Sequence, residues 1–345
     1  DRSAVRQIRY DWAHSYCSVF LDGTTFPLQR YEKILILHNF LIKNFLFSHI
    51  CCTFADFFEN SMQVITTKQE LTRQIEACLR QSKTIGFVPT MGALHAGHAS
   101  LVQHAVAEND VCVVSVFVNP TQFNNPEDLL KYPRTLEQDV ALLTQLGVHF
   151  VFAPSPEEMY SSEEMNVPFS FDFNGLDQVM EGKMRPGHFN GVVQVVSRLF
   201  DLVQPTRAYF GEKDFQQLAI IRHMVTTSTL AAQYPNLQII GCPIVREESG
   251  LALSSRNQRL SEEEKKTAVN ISRTLFSSLE WAKNASVAQV QQRVIDTINA
   301  IEGLDVEYYE IVDKTTLQPT NTFDNAVGCV TVYCGPVRLI DNIQY

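Results

Sequence analysis

Residues 84–103 read TIGFVPTMGALHAGHASLVQ, and the order of apolar, turn-forming and helix-forming residues in this stretch decides the fold. Thr84 to Val88 is a short apolar run suited to a buried parallel strand. Pro89 is expected to end it, Gly92 loosens the turn, and a helical pattern starts near His95. A strand, a tight turn and a helix in that order leave the first helical turn's N–H groups pointing out of the sheet. There the positive end of the helix dipole suits a polyphosphate. His95 and His98 are three residues apart, so both rings lie on one side of that turn. Gly97 between them removes a side chain where a ligand would approach the backbone. Two imidazoles placed so can donate hydrogen bonds to phosphate oxygens and stabilise charge that develops during phosphoryl or nucleotidyl transfer. Two ordinary histidines at a helix start are the plainer alternative, and the strand-turn-helix setting weighs against it.

The chain has 345 residues, 45% of them hydrophobic and 19% charged, with a formal net charge of −10. That length allows two domains and a core that needs no staples. With no clustered Lys/Arg stripe, nucleic acid is a poor candidate partner. The eight cysteines are scattered without metal-ligand or disulfide-scaffold spacing. Cys112, Cys329 and Cys334 sit in apolar strand-like runs, which implies buried free thiols in a reducing cytoplasm. No internal repeat or low-complexity tract occurs.

Residues 1–61 read differently. They hold no Met, and the first Met is Met62. Lys33 to Phe58 is rich in Phe and Ile but broken by His38, Asn39, Lys43, Asn44 and His49, which makes a poor membrane span. It also lacks the small-residue cleavage site of a secretory signal. A poorly ordered extension, a membrane-proximal anchor and sequence upstream of a true start at Met62 are the three readings, and the last is the expectation.

From Met62 the elements alternate. Thr67 with Glu70 is a capping box before a helix carrying Leu71, Ile75 and Leu79. Val111 to Val118, VCVVSVFV, is the unbroken apolar run of a strand covered on both faces, and such runs between helices indicate a parallel, doubly wound sheet. Ligands in such sheets bind beyond the carboxyl ends of strands. Asn119 and Gln122 are therefore placed to hydrogen-bond a small polar substrate, with a plain polar turn as the alternative. Thr135 with Gln138 is expected to cap the next helix; Asp139 in that helix could reach a metal-bound phosphate or be a solvated acid. Glu181 to Asn190, EGKMRPGHFN, carries Lys183, Arg185 and His188 and reads as a mobile basic loop able to close over an anion, followed by a helix from Gly191 to Val203. After a strand at Arg207 to Phe210, Lys213 beside Gly211 makes a point charge for phosphate, and Gln217 faces the same mouth. Arg246 to Arg256, REESGLALSSR, offers Ser254, Ser255 and Arg256 in a flexible segment that can bind a triphosphate. From Ser261, two helices and three strand-like runs form a small α+β domain, with a boundary near Val245. The expected organisation is residues 1–61 outside the folded enzyme, 62–245 as an α/β nucleotide-binding domain and 246–345 as the smaller α+β domain.

PTMGALHAGH (89–98), FVNPTQF (117–123), YPRT (132–135), MRPGHFNGV (184–192), FGEKDFQQL (210–218) and LALSSRN (251–257) together closely resemble the pantoate–β-alanine ligase family, in its order and spacing across residues 62–345. The resemblance implies a cytoplasmic homodimer with a Rossmann-like nucleotidyltransferase domain of the class I aminoacyl-tRNA synthetase kind. It implies that ATP and (R)-pantoate give pantoyl adenylate and pyrophosphate, and that β-alanine then displaces AMP to give pantothenate. By the same analogy Met91, Gly92, Ala93, Leu94, His95, Ala96, Gly97 and His98 line the ATP site, with His98 as proton donor. Gly211, Glu212, Lys213, Asp214 and Val245 hold the nucleotide, and Leu253, Ser254, Ser255 and Arg256 form a mobile phosphate loop. Lys213, Ser254, Ser255 and Arg256 would stabilise the pentacovalent phosphorus. Gln122, Gln217 and Asn119, with Arg185 and His188, serve the substrates, and Asp139 is the best protein candidate for Mg²⁺, otherwise held by ATP phosphates and water. Thr121 stands where Met is usual, Ala96 where an acid is common, and Ser249 where Asp is common; only affinity is affected. The competing readings are a same-fold nucleotidyltransferase acting on a phosphate ester, and a silent nucleotide-binding or membrane-tethered interaction protein.

Overall fold

Apolar runs covered by helices on both faces make the central sheet. Strands β1 (Gln63–Ile65), β2 (Ile85–Thr90), β3 (Val111–Val116), β4 (Phe150–Phe152), β5 (Arg207–Gly211) and β6 (Gln238–Cys242) lie in the order β1-β4-β3-β2-β5-β6. Every pairing is parallel. The computed structural model describes residues 62–123, 126–161, 163–164, 169–227 and 229–345; the expectations for residues 1–61, the Lys33 to Phe58 stretch included, lie outside them. The chain works outward from β2 to β3 and β4, then returns past β2 to β5. The β2/β5 boundary is thus the switch point, where a crevice opens beyond the strand ends.

The helices between these strands are α1 (Lys68–Arg80), α2 (Ala96–Glu108), α3 (Pro126–Lys131), α4 (Leu136–Gln145), α5 (Pro156–Met159), α6 (Met180–Met184), α7 (His188–Val203), α8 (Phe215–Thr227) and α9 (Thr229–Gln233). Thr67 caps α1 by accepting from the Glu70 N–H, as its position predicts. The buried stripe of α1 is Leu71, Ile75 and Cys78, whereas Leu79 is 38% exposed. Three local expectations are corrected. Pro89 does not end β2, because pairing with β3 runs on to Thr90 while pairing with β5 stops at Phe87, where no further ladder N–H is needed. Thr135 precedes α4 without a capping bond to the helix backbone. The helix expected from Gly191 begins three residues earlier, at His188, after Gly187 turns the chain with φ of +82°.

The C-terminal part holds α10 (Glu262–Ala282), α11 (Val287–Asn299) and an antiparallel sheet β7 (Leu304–Asp313), β8 (Ala326–Cys334), β9 (Val337–Gln344) in that order. Both helices open with reciprocal capping boxes, Ser261 with Glu264 and Ser286 with Gln289. Their apolar faces, including Ile271, Leu275, Val290 and Val294, pack against Val330 and Val332. The other face of this sheet gives Val312, Val327 and Cys329 to the core beneath the parallel sheet, and residues 62–345 form one compact unit. Cys78, Cys112, Cys242, Cys329 and Cys334 are buried free thiols. Among the described residues no helix is long and apolar enough to cross a membrane.

Candidate active site

The turn after β2 is built by its own side chains. His95 is the residue preceding α2, and its Nδ1 accepts from the Gly97 N–H at 3.1 Å; the His95 N–H donates to Nδ1 of His98 at 3.3 Å. The two rings sit 4.1 Å apart between centroids. Burial and then the Lys213 ammonium lower the His95 pKa, while burial and then the His95 ring push His98 down to about 3. Both imidazoles are therefore neutral at neutral pH. With Nδ1 accepting, each carries its proton on Nε2, ready to donate to an oxyanion. A Cβ on Gly97 would lie 2.9 Å from Cε1 of His95 and 3.7 Å from Cβ of Leu253, so the backbone here is open only because the side chain is missing.

The loop leading into the turn is held by Asp139. This residue is 2% exposed; Oδ2 accepts from the Ala93 N–H at 3.0 Å and Oδ1 from the Leu94 N–H at 2.8 Å. Thr135 adds a hydroxyl donor to Oδ2 at 3.2 Å, which is what that side chain does in place of capping α4. Ala93 has φ of +50°, a conformation disfavoured for a residue with a Cβ, and the paired amide bonds keep it there. Asp139 was expected near a metal, yet both oxygens are engaged by the protein. Among the described residues no group of three His, Cys, Asp or Glu is placed to hold a metal ion.

Beyond β3, the amide side chains form a second cluster. Asn119 is 1% exposed; its Nδ2 donates to the Gly191 carbonyl at 3.0 Å, and its Oδ1 accepts from Tyr160 at 2.8 Å and from the Thr121 hydroxyl at 3.1 Å. Asn119 is thus a buried brace, and Thr121 turns its hydroxyl to that brace. Gln122 Nε2 reaches the Met91 sulfur at 2.8 Å, linking this turn to the His95 loop. The N-terminus of α7 presses on the same turn: a Cβ on Gly191 would lie 2.4 Å from the Thr121 carbonyl oxygen, so only glycine fits.

Arg185 and His188 enter from the segment expected to be a mobile loop, and that expectation is corrected. Glu181 is clamped to the C-terminal sheet, accepting from Arg338 at 2.6 and 2.8 Å, from Tyr308 at 2.9 Å and from Thr331 at 3.0 Å. Burial opposes ionisation of this carboxyl, but the Arg338 bonds outweigh it and bring it to about 2. His188 is 8% exposed, with Nδ1 2.9 Å from the Gln122 carbonyl and Nε2 3.2 Å from Arg185. Burial and then Arg185 push His188 down to about 4, so it too is neutral.

At the end of β5, Gly211 leads into the Glu212–Asp214 turn. Lys213 Nζ lies 3.2 Å from Asp214, and the field of both residues reaches the histidine pair. Lys213, Arg185, Gln217 and Arg256 line one cavity. Gln217 has no side-chain hydrogen-bond partner among the described residues, whereas its neighbour Gln216 is spent on the Leu176 and Val179 carbonyls. The Val245 to Arg256 segment folds back on itself, with the Leu253 N–H donating to the Val245 carbonyl at 3.0 Å, and Ser254 caps a short helical turn over Ser255–Arg259. The structure thus brings the imidazole pair within the field of Lys213 and the Gly97 backbone against Leu253, while Lys213 and Arg256 line one cavity. Asn119 and Asp139 lie behind these groups as supports, and Ala96 is exposed at the start of α2.

Sequence reasoning passed over three contributors. Tyr132, within YPRT, has a phenol pushed up by burial and lies within the field of Arg256 and beside Ser255. Asp341 and Asn342 are buried polar neighbours in β9, and two polar residues interrupting an apolar strand were the available signal.

Comparison with known proteins places this geometry. A sequence model of the family described as Pantoate-beta-alanine ligase matches residues 63–344. Pantothenate synthetase of Phocaeicola vulgatus is 60% identical over 287 residues, covering 82% of this chain and 99% of the relative. The corresponding protein of Flavobacterium psychrophilum is 44% identical over the same length. Among solved structures, pantothenate synthetase from Thermus thermophilus superposes with a TM-score of 0.74 at 44% identity, over 82% of this chain and 99% of that one. Pantoate-beta-alanine ligase from Francisella tularensis, complexed with beta-gamma ATP and beta-alanine, gives 0.68 at 36% identity, over 82% and 98%. The chain belongs to the pantoate–β-alanine ligase family.

Proposed function

We propose that the protein condenses (R)-pantoate with β-alanine, using ATP, through a pantoyl adenylate. The observation that carries the reading is that two neutral, Nε2-protonated imidazoles lie within the field of Lys213, which itself shares a cavity with Arg256 and the free amide of Gln217. The pantoate carboxylate attacks the α-phosphorus of ATP and pyrophosphate leaves. The amine of β-alanine then attacks the acyl carbon, the C–O bond to AMP breaks, and the nitrogen gives up a proton. A carboxylate is a poor electrophile, and adenylation supplies its leaving group. The protein's task is to hold two anions together and offset their repulsion.

In this reading Met91 to His98, Gly211 to Asp214, Val245 and Leu253 to Arg256 hold the nucleotide. His95 and His98 donate to phosphate oxygens, and Lys213 and Arg256 offset charge on the phosphorus, with Ser254 and Ser255 beside them. Gln122 and Gln217 bind pantoate, while Arg185 serves the substrate carboxylates and His188, both of whose ring nitrogens are engaged, serves them by orienting Arg185. Asn119 supports Gln122, and Asp139 is assigned to the loop rather than to a cation. Among the described residues no protein cage for Mg²⁺ forms, so in this reading the metal enters only as a companion of the triphosphate, and no step here depends on it. A cytoplasmic homodimer, with a nucleotide-binding domain over 62–245 and a smaller domain over 246–345, is proposed on the family resemblance. Sizing chromatography tests the dimer. AMP release that requires both pantoate and β-alanine tests the activity; AMP or CMP transfer to a phosphate ester instead would favour the alternative nucleotidyltransferase.

A further inference from the structure

Two polar neighbours lie in the middle of the last strand of the C-terminal sheet. β9 reads VRLIDNIQ, and its Asp341 and Asn342 are only 5% and 3% exposed. Successive residues of a strand point to opposite faces, so the pair reaches two different parts of the molecule. Asn342 Nδ2 donates to the carbonyl oxygens of Glu212 at 2.8 Å and of Lys213 at 3.0 Å. One amide group spans two successive peptides and so sets the orientation of the turn that carries Lys213. Gln344 adds a bond to the Glu212 carboxylate at 3.1 Å.

Asp341 acts on the other half of the crevice. Arg246 grips it with two prongs, Nη1 at 2.6 Å and Nη2 at 2.9 Å, a geometry that fixes direction as well as distance. Arg246 Nη1 also donates to the Gly250 carbonyl at 3.3 Å, and Arg246 pairs with Ala252 in an antiparallel bridge. The hairpin that leads into Leu253 to Arg256 is therefore registered to β9. The Asn342 N–H closes the arrangement by donating to Asp341 Oδ1 at 2.8 Å.

We infer that Asp341 and Asn342 are positioning residues that tether the Lys213 turn and the Ser254–Arg256 loop to a single strand. The ammonium and the guanidinium then arrive on the same triphosphate. Both residues border the cavity that holds Lys213 and Arg256, but their polar atoms are spent on Arg246 and on the Glu212 and Lys213 carbonyls, so they act through those groups. The inference rests on ATP occupying the β2/β5 crevice.

The test compares Asn342→Ala, Asn342→Asp, Asp341→Asn and Asp341→Glu with Leu339→Ala, a cavity variant in the same strand whose apolar side chain packs in the core of the C-terminal part and hydrogen-bonds neither segment. Hydrogen exchange and pantoate-dependent pyrophosphate release are both measured well below each variant's melting temperature. The Asn342 variants are expected to speed exchange over residues 211–217, and Asp341→Asn over 246–256, with β2 and β3 unchanged. Their kcat should fall about 10- to 100-fold, as for other small misplacements of catalytic groups, with the KM for pantoate unchanged and Asp341→Glu partly restoring the rate. Leu339→Ala should keep wild-type kcat. Exchange at both segments unaltered, or a kcat loss in Leu339→Ala equal to that of Asn342→Ala, overturns the tether. Faster exchange in the variants of a wild-type protein that neither binds ATP nor releases pyrophosphate would uphold the tether and overturn the nucleotide assignment.

Discussion

His95 and His98 cap the first turn of the same helix for each other, the His95 N–H on Nδ1 of His98 and the Gly97 N–H on Nδ1 of His95. Each ring thereby spends its acceptor on the backbone and keeps its Nε2 proton for a ligand. The first prediction concerns that proton. His98→Ala should slow adenylate formation by about 10²- to 10³-fold, the usual loss when one preorganised donor to a developing oxyanion is removed. Single-turnover pyrophosphate release measures it, and an unimpaired rate would remove His98 from the mechanism.

Lys213→Ala should likewise cost about 2–4 kcal/mol of transition-state stabilisation, the range for loss of an electrostatic contact in a water-excluded site. Among the described residues the Lys213 ammonium pairs with exposed Asp214 alone, so the fold should survive. An unchanged melting curve with a normal pyrophosphate burst would contradict the role.

Asp139→Asn leaves one acceptor for the Ala93 and Leu94 amides and should raise the KM for ATP while leaving the Mg²⁺ concentration for half-activation unchanged. Asp139→Ala should do so more strongly and speed exchange of those two amides, because a buried donor left unmet costs about 1–3 kcal/mol. A shift in Mg²⁺ half-activation with no change in exchange would restore the carboxylate to the metal.

Glu181→Ala leaves the Arg338 guanidinium beside Glu307 without its second carboxylate partner. The expected loss is about 1–3 kcal/mol, the scale of buried polar groups left unmet, because Glu307 still compensates the Arg338 charge. Equilibrium denaturation gives the value, and a change below about 0.5 kcal/mol, the scale of neutral surface changes, would show the cluster to be idle.

The pH dependence of stability has a defined sign. Glu181 falls from the ordinary 4.5 to about 2 in the fold, so its stabilisation is full above 4.5 and drains away as pH drops toward 2. His98 falls from 6.5 to about 3, so the unfolded chain gains protons first, and stability is also lost as pH falls below 6.5. Melting temperatures should decline steadily from pH 7 downward. The decline below pH 4.5 should be shallower in Glu181→Gln.

What could be read from the residues alone follows the range of the forces involved. The strand, turn and helix of 84–103, the Thr67 and Ser261 caps and the alternation of covered strands all depend on near neighbours, and these were legible. Pro89 looked like a terminator because its harmlessness depends on where β5 stops pairing. Thr135 and Gln138 matched a capping box, but a carboxylate in the following turn claimed the hydroxyl. The segment from Glu181 looked mobile because its restraint, Arg338, is 157 residues away. In the candidate site, the residues that face the crevice stood out by type and spacing. Those that hold them from behind, Asp341 and Asn342 above all, drew no notice, since a buried polar pair in a strand announces a partner without naming it.

Because Asn342 grips a turn 129 residues upstream, the order of synthesis matters to this protein. The parallel sheet can form while the ribosome is still translating helices α10 and α11, yet Lys213 gains its fixed bearing only when β9 emerges. A chain ending before Val337 would lack both tethers and the Arg338 partner of Glu181, so the last strand completes the site as well as the sheet.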